Sequence, residues 1–368
     1  MSKQILFLFL ILVTVNFALS QSADSVIIDT NITDAEIAFH DSINILNKQN
    51  ELFVNSRKSY NSALELFNNQ HFQQAIVHFT EAISIDSSFE EAYFYRAESY
   101  ADSNDSLAIL DYQMSFSLDS ANFTPLYAIA DLQSIANINE AIKTYNQIIS
   151  YNNKESRAYY EIGVLYYLQN NFEDAITFFT KSIALRKEAR AFNDRASCYR
   201  LLDNNELAIK DYITAIALNS DLAFIYNNLA STYRKQSDSA KALSYYSLAI
   251  SKDTNYVIAY NNRGSLYLEL NDIENALNDI DKAISIDNNY APAYNNKGVI
   301  YHQKKQYLNA ISCFDKGILL NNNYAKAYLN RGITRQMIRD EDGACSDWLK
   351  AEELGINIAK KYLANDCY

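Results

Sequence analysis

Proline and glycine are scarce in this chain of 368 residues, which has only 2 Pro and 7 Gly. Sheet-based folds need many tight turns, and these two residues build a large share of them. The glycines also stand singly, so there is no glycine-rich loop of the type that cradles phosphate groups. Because 49% of the residues are hydrophobic, the chain has ample material for a core. These features predict an all-α fold.

Residue types that commonly carry catalysis or bind metals are also few. The chain has 4 His and 4 Cys, and the histidines (His40, His71, His78 and His302) show no metal-ligand spacing. A Gly-x-Ser-x-Gly turn, which would present a nucleophilic serine, is absent from the sequence. We therefore expect a protein that is not an enzyme and that uses no metal and no cofactor.

Basic residues are scarce in the first part of the chain. Residues 1–150 contain 6 Lys and Arg against 18 Asp and Glu, whereas residues 151–368 contain 26 of each, so the net charge of −12 lies entirely in the first part. A nucleic-acid backbone attracts clustered basic residues, and this charge pattern argues against nucleic-acid binding. The acidic excess is explained either by solubility or by a basic partner or cations, and the sequence leaves both open.

The longest apolar run lies at the start of the chain. Lys3 precedes an almost wholly apolar run at residues 5–15, and Ala18-Leu19-Ser20 places small residues before a cleavage site ahead of Gln21. This pattern is typical of a signal peptide over residues 1–20, with an uncleaved anchor as the alternative. The run is shorter than the roughly 20 apolar residues of a membrane span. We expect an exported protein, periplasmic or secreted, with no membrane span after signal removal.

A unit of 34 residues repeats along most of the remaining chain. The block Tyr260-Asn-Asn-Arg-Gly264 returns as Tyr294-Asn-Asn-Lys-Gly298 and as Tyr328-Leu-Asn-Arg-Gly332. Apolar residues spaced by three and four predict two helices per unit, with small residues where the paired helices touch. Nine units carry an alanine in the second helix. These are Ala75, Ala108, Ala141, Ala175, Ala208, Ala242, Ala276, Ala310 and Ala344.

The pattern of small and aromatic residues resembles that of the tetratricopeptide repeat family over about residues 56–355. The resemblance implies a right-handed α-solenoid of about nine helix-turn-helix repeats, in which each repeat packs only on its neighbours. Residues 21–55 are then a polar leader and an N-terminal helix that covers the first repeat. Where the family often has proline after the second helix, this chain has Ser, Asn, Thr or Lys, so we expect slightly looser connections.

The last repeat needs a cover, because it has no neighbour on one side. The segment Gly343–Gly355 resembles the end of many exported tetratricopeptide proteins of the Bacteroidota. Residues 356–368 are predicted to form a capping helix that packs through Ile358, Tyr362 and Leu363.

Two of the four cysteines lie near this predicted cap. Cys345 stands on the second helix of the last repeat and Cys367 at the end of the capping helix. In an exported protein this placement makes them candidates for a disulfide, with two free thiols as the alternative. Cys198 and Cys313 lie within helices of separate repeats and are expected to be small buried residues.

A row of amides marks the predicted first helices. In tetratricopeptide proteins these helices line the concave side, where family members hold peptides. An asparagine amide both donates and accepts hydrogen bonds, so a ladder of amides can grip an extended backbone with little regard for its side chains. The alternative is that these are consensus residues that bond locally. The predicted peptide-binding residues are Asn193, Asn227, Asn228, Asn261, Asn262, Asn295, Asn296 and Asn330.

These features predict a non-enzymatic interaction scaffold whose partner is a protein or an extended peptide on the concave face. The alternative is a structural spacer or assembly component of a cell-envelope complex, docked through its convex side or its ends. A glycan-uptake component is a third candidate, which rests on fold analogy and on the abundance of tyrosine, at 29 residues.

Overall fold

The computed structural model describes residues 34–101 and 103–367, which form nineteen helices and no strand. The predicted signal peptide (1–20) and the polar leader (21–33) lie outside the described residues. In chain order the helices are α1 (Asp34–Asn68), α2 (Phe72–Ile85), α3 (Glu90–Tyr100), α4 (Asp105–Leu118), α5 (Thr124–Ala136), α6 (Ile138–Tyr151), α7 (Ser156–Leu168), α8 (Phe172–Leu185), α9 (Ala189–Leu201), α10 (Asn205–Leu218), α11 (Ala223–Lys235), α12 (Ser239–Lys252), α13 (Val257–Glu269), α14 (Ile273–Ile286), α15 (Ala291–Gln303), α16 (Tyr307–Leu320), α17 (Ala325–Met337), α18 (Glu341–Glu353) and α19 (Ala359–Asp366).

The first of two compact units ends at Leu118 and contains two helix pairs. Helix α1 packs on α2, α2 packs on α3, and α3 packs on α4. Helix α1 is 35 residues long, because the predicted N-terminal helix continues without a break into the first helix of the first pair. The apolar residues of its early part, among them Ile37, Phe39 and Phe53, are exposed and do not cover the first pair.

The second unit begins at Asp119 and contains seven helix pairs, from α5 with α6 to α17 with α18, followed by α19. Each second helix also packs on the first helix of the next pair, and from α7 to α17 the successive first helices contact each other. Such nearest-neighbour packing is what a chain of repeats produces. The predicted all-α fold of tandem helix-turn-helix repeats is confirmed.

Small residues lie where the paired helices cross, as predicted. Ala276 is fully buried. A Cβ atom at Gly298 would lie 2.5 Å from the ring of Phe314, and one at Gly332 would lie 2.5 Å from the indole of Trp348. A larger side chain at these points would hold the helices apart, which explains the 34-residue spacing of the small residues.

In seven of the helix pairs the turn uses one residue in the left-handed backbone region. This conformation costs a residue with a side chain roughly 1–2 kcal/mol. At Asn271, for example, φ is 60°. The next residue, Asp272, caps the second helix by accepting a hydrogen bond from the Asn275 N–H. The left-handed turn residues are Gln70, Asn170, Asp203, Ser237, Asn271, Lys305 and Arg339.

Helix α19 packs on α18 and covers the last pair. The ring of Tyr362 stacks on Trp348 with centroids 5.0 Å apart, and Leu363 is buried beside them. Ile358 was predicted to join this contact but is exposed, because α19 begins only after it.

The structure joins Cys345 and Cys367 in a disulfide, with Cα atoms 5.8 Å apart, and so ties the cap to the last pair. Cys198 is buried and free, whereas Cys313 is half-buried and free.

Candidate functional site

The predicted amides bond to one another across successive repeats. In every case an asparagine two residues before the small residue of one repeat donates a side-chain N–H. The acceptor is the side-chain oxygen of the asparagine three residues before the small residue of the preceding repeat. The resulting row, called here the amide ladder, joins α9, α11, α13, α15 and α17 and brings all eight predicted residues together. Its rungs are Asn228 to Asn193 (3.0 Å), Asn262 to Asn227 (3.0 Å), Asn296 to Asn261 (2.9 Å) and Asn330 to Asn295 (2.9 Å).

The two asparagines of a rung differ in exposure. The acceptors are buried; Asn227, for example, is only 4% exposed. The donors, such as Asn262, are half-buried. A side-chain amide has two N–H groups, and the rung uses one of them. The buried acceptors thus hold neighbouring repeats together, while the donors keep hydrogen-bonding capacity on the face of the first helices.

The ladder begins with a different rung at its N-terminal end. The hydroxyl of Tyr160 donates to Asp194 Oδ2 at 2.6 Å, and Asn193 Nδ2 donates to Asp194 Oδ1 at 2.8 Å. Burial raises the pKa of the Asp194 carboxyl, and these two hydrogen bonds act in the opposite direction. Burial likewise raises the pKa of the neighbouring Glu161, which Arg157 partly offsets.

Sequence reasoning missed a second repeated contact, an ion pair inside four of the helix pairs. Arg263 donates through Nε and Nη2 to the two carboxylate oxygens of Asp279, both at 2.8 Å. Its Nη1 donates to Ser247 Oγ at 2.8 Å, and Ser247 lies on the second helix of the preceding pair. One arginine therefore links three helices. The corresponding pairs are Arg96–Asp111, Arg195–Asp211, Arg263–Asp279 and Arg331–Asp347.

The sequence does carry a signal for these pairs. Three of them have Arg and Asp 16 residues apart, with Asp on the second helix one turn beyond the repeated alanine. A planar guanidinium with two parallel bonds to a carboxylate is among the stronger polar contacts in proteins. These pairs are part of the packing and are not aimed at a ligand.

Neither a metal site nor a membrane span appears in the described residues. Residues 34–101 and 103–367 contain no group of three or more His, Cys, Asp or Glu side chains placed to hold a metal ion. No helix in this part of the chain is both long enough and apolar enough to cross a membrane.

Sequence profiles of known families match the second unit at several places. A profile described as TPR repeat matches residues 264–305, and one described as Tetratricopeptide repeat matches residues 156–188. A further Tetratricopeptide repeat profile matches residues 189–222, 225–255 and 291–324. The chain therefore contains tetratricopeptide repeats. No curated protein sequence shows a significant match to it.

Several solved structures are similar to this chain at low sequence identity. The crystal structure of the APC/C hetero-tetramer Cut9-Hcn1 has a TM-score of 0.56 and 15% identity, covering 85% of this chain and 76% of that one. The Pseudomonas aeruginosa pilF structure has a TM-score of 0.49 and 21% identity, covering 57% and 96%. YrrB, a TPR protein with an unusual peptide-binding site, has a TM-score of 0.41 and 21% identity, covering 53% and 97%. The first likeness supports the fold.

Proposed function

We propose that this chain is a non-enzymatic interaction scaffold that holds an extended segment of a partner protein along the amide ladder. The observation that carries the proposal is the row of half-buried donors (Asn228, Asn262, Asn296 and Asn330), each fixed by a hydrogen bond to the repeat before it. Amides held in this way lose little side-chain freedom when a ligand binds, so binding costs less entropy.

The spacing of the rungs suits an extended backbone. Packed helices lie about 10 Å apart, and an extended chain rises about 3.3 Å per residue. Each rung would therefore meet roughly every third residue of a bound segment. Because amides pair with backbone N–H and C=O groups, which nearly all residues carry, the ladder would select an extended conformation more than a sequence.

The test uses ¹⁵N-labelled protein and peptides selected from a random library for binding to it. We expect the side-chain amide signals of Asn228, Asn262 and Asn296 to shift on binding. Alanine at these three positions should weaken binding at least tenfold, since several hydrogen bonds of about 1 kcal/mol each are lost. The Asn61→Ala variant is the control, because Asn61 is an exposed asparagine on α1. Selected peptides that bind equally well to the triple variant would contradict the proposal.

We also propose that the chain is exported. The proposal is supported by the signal-like pattern of residues 1–20, by the resemblance of its C-terminal segment to exported proteins, and by the Cys345–Cys367 disulfide. Disulfides persist in oxidising compartments and are rare in the cytosol. N-terminal sequencing of protein purified from the native cell should find Gln21 as the first residue. A cytosolic protein that still begins with Met1 would refute export.

A spacer or assembly component of an envelope complex is the second candidate, and the early part of α1 favours it. Large apolar side chains there, among them Ile45 (59% exposed) and Phe53 (55% exposed), have the exposure of a docking surface. Replacing both by aspartate should remove the chain from a native envelope complex on a native gel, while peptide binding to the ladder stays unchanged. A complex that survives these changes would exclude docking through this helix.

A further inference from the structure

A cavity of about 380 Å³ lies beside the first rungs of the amide ladder, with walls from α7, α8, α9 and α11. Val164, Leu168 and Phe179 give it an apolar side. Its polar side includes two residues of the ladder, Asn193 and Asn228. The cavity is therefore continuous with the surface on which we place the bound segment.

Arg200 lines this cavity and forms no ion pair with a carboxylate of the described residues. Its Nε atom is enclosed by protein, yet it has no hydrogen-bond partner among the described residues. The guanidinium does hydrogen-bond to the hydroxyl of Tyr212, and it lowers the pKa values of the Tyr167 and Tyr212 hydroxyls, which burial raises. Both of these neighbours are neutral groups, so they do not balance its charge. A charge removed from water normally has a partner of opposite sign, because the loss of hydration is otherwise costly.

The other arginines of similar burial do have such partners. In the part of the chain that the structure describes, the half-buried arginines other than Arg200 each have a carboxylate oxygen within 4.0 Å. Arg190 and Arg339 also have no such contact among the described residues, but both are exposed to water.

Repeat symmetry shows what is missing at Arg200. Arg234 stands 34 residues later and donates to Glu269, a carboxylate 35 residues further along the chain. The residue 35 positions after Arg200 is Lys235, a cation, and it donates to the backbone oxygen of Arg200 at 2.9 Å. The chain therefore supplies a carboxylate to Arg234. At the corresponding position for Arg200 it has the ammonium group of Lys235 instead.

We propose that Arg200 binds a carboxylate of the segment held on the amide ladder; this inference rests on the proposed function. A planar guanidinium offers two parallel N–H groups that match the two oxygens of a carboxylate. The apolar wall suits the hydrocarbon part of an acidic side chain or of a C-terminal residue. Asp194 also lines the cavity, and its negative charge would oppose a doubly charged phosphate more than a singly charged carboxylate.

The experiment titrates the ¹⁵N-labelled full chain with four probes and follows the Arg200 Nε–H signal, assigned with Arg200→Lys. The probes are an end-blocked peptide of four glycines around one glutamate, its glutamine twin, tetraglycine with a free carboxyl end, and inorganic phosphate. We expect a saturable shift with the glutamate peptide that is at least tenfold weaker with the glutamine twin, because a charge-assisted hydrogen bond is lost. Arg200→Gln should remove this preference, whereas Arg190→Gln, on the same helix, should retain it.

The outcomes distinguish a side-chain carboxylate, a C-terminal carboxylate and phosphate as the group bound by Arg200. A shift with tetraglycine but not with the glutamate peptide would assign the carboxylate to a chain end, and shifts with both would mean that either source binds. Equal shifts with glutamate and glutamine, or tighter binding of phosphate, would overturn the carboxylate assignment. Ladder signals that move while the Arg200 signal does not would overturn this inference but leave the proposed function standing. Movement of the Arg200 signal alone would support carboxylate binding at Arg200 but would contradict the amide ladder as the surface that holds the bound segment.

Discussion

From Ala189 onward, hydrogen bonds between asparagine side chains join the first helices of successive pairs. The matching positions of earlier first helices carry aromatic rings. In α1, the ring of Tyr60 lies 4.7 Å from that of Phe89. In α5, the ring of Tyr127 lies 5.9 Å from that of Tyr145 and beneath the guanidinium of Arg157. Both regions build the same helix pair. The small residues at the helix crossings determine how the two helices of a pair pack. The residue types on the other face of the first helix can therefore differ between repeats.

The difference is one of directionality. Aromatic contacts stabilise the fold mainly through the area that they bury, and they tolerate several ring geometries. Amide bonds need fixed donors and acceptors, so they recur with the repeat and leave identical groups at regular intervals. The two regions meet at the Tyr160–Asp194 rung, which is also where the Arg200 cavity opens. A ligand surface that repeats is therefore expected only on the side of the amides.

The largest effect should come from a feature that both regions share, the buried ion pairs. Asp111→Ala and Asp279→Ala each leave a half-buried arginine without its carboxylate. Breaking a buried pair typically costs about 3–5 kcal/mol. We expect losses of this size in both regions, measured by urea unfolding followed by circular dichroism. A large loss in one region and none in the other would mean that the two regions pack by different rules.

A matched control comes from the repeat just before Arg263. There Leu229 and Tyr245 occupy the positions of the arginine and the aspartate. The double variant Arg263→Leu with Asp279→Tyr introduces the two residues of the preceding repeat. Replacing a buried ion pair by apolar groups often leaves the free energy of unfolding unchanged. It should restore most of the stability that Asp279→Ala removes.

The next largest effect concerns α19, the helix that covers the last helix pair. Reducing the Cys345–Cys367 disulfide, or replacing Cys367 by serine, should lower stability by ~3 kcal/mol for a loop of this length. Trp348 is the single tryptophan, is fully buried and stacks on Tyr362 of the cap, so its emission should move to longer wavelength as α19 loosens. Cys198→Ser serves as the comparison, because that cysteine is free and should leave the response to reductant unchanged. Unchanged emission on reduction would show that the cap holds without the bond.

These regions also show what the sequence could and could not predict. The spacing of small and aromatic residues predicted the helix pairs, because a helix crossing depends on residues that lie close in the chain. The amides were predicted on the first helices, but their bonding to each other was not. Whether such a side chain meets a neighbour or a ligand depends on how two helices are rotated. The exposed apolar side chains of α1 and of Ile358 were mistaken for packing residues, since apolar spacing alone does not show whether a partner is present.

A smaller effect should distinguish the amides of the two regions. Asn262→Ala removes the donor of one rung and leaves the buried oxygen of Asn227 without it, at a cost of about 1–3 kcal/mol. Asn61 holds the same repeat position on α1 but is exposed, so Asn61→Ala should change stability by less than about 0.5 kcal/mol. Urea unfolding of the two variants measures the difference. Equal effects would mean that the rungs add nothing to the stacking of repeats.

The smallest effect is expected where the two regions meet. Asp194→Asn gives the first rung the amide that the later rungs have, and Asn can still accept from Asn193 and contact the Tyr160 hydroxyl. Burial raises the pKa of Asp194 in the folded chain, so folding favours its protonated form. That stabilisation is complete below the unfolded pKa of about 3.9 and is lost as the pH rises through the folded pKa.

Asp194→Asn should therefore melt at a higher temperature than the native chain at pH 8, and the gap should shrink as the pH falls toward 4. Thermal unfolding followed by circular dichroism across this range measures the gap. Asp41→Asn removes the same charge at an exposed site on α1 and serves as the comparison. A gap that widens toward low pH would mean that the carboxylate stabilises this rung. The charge at the junction would then belong to the packing of the first helices, and the amide ladder would begin with the Asn193–Asn228 rung.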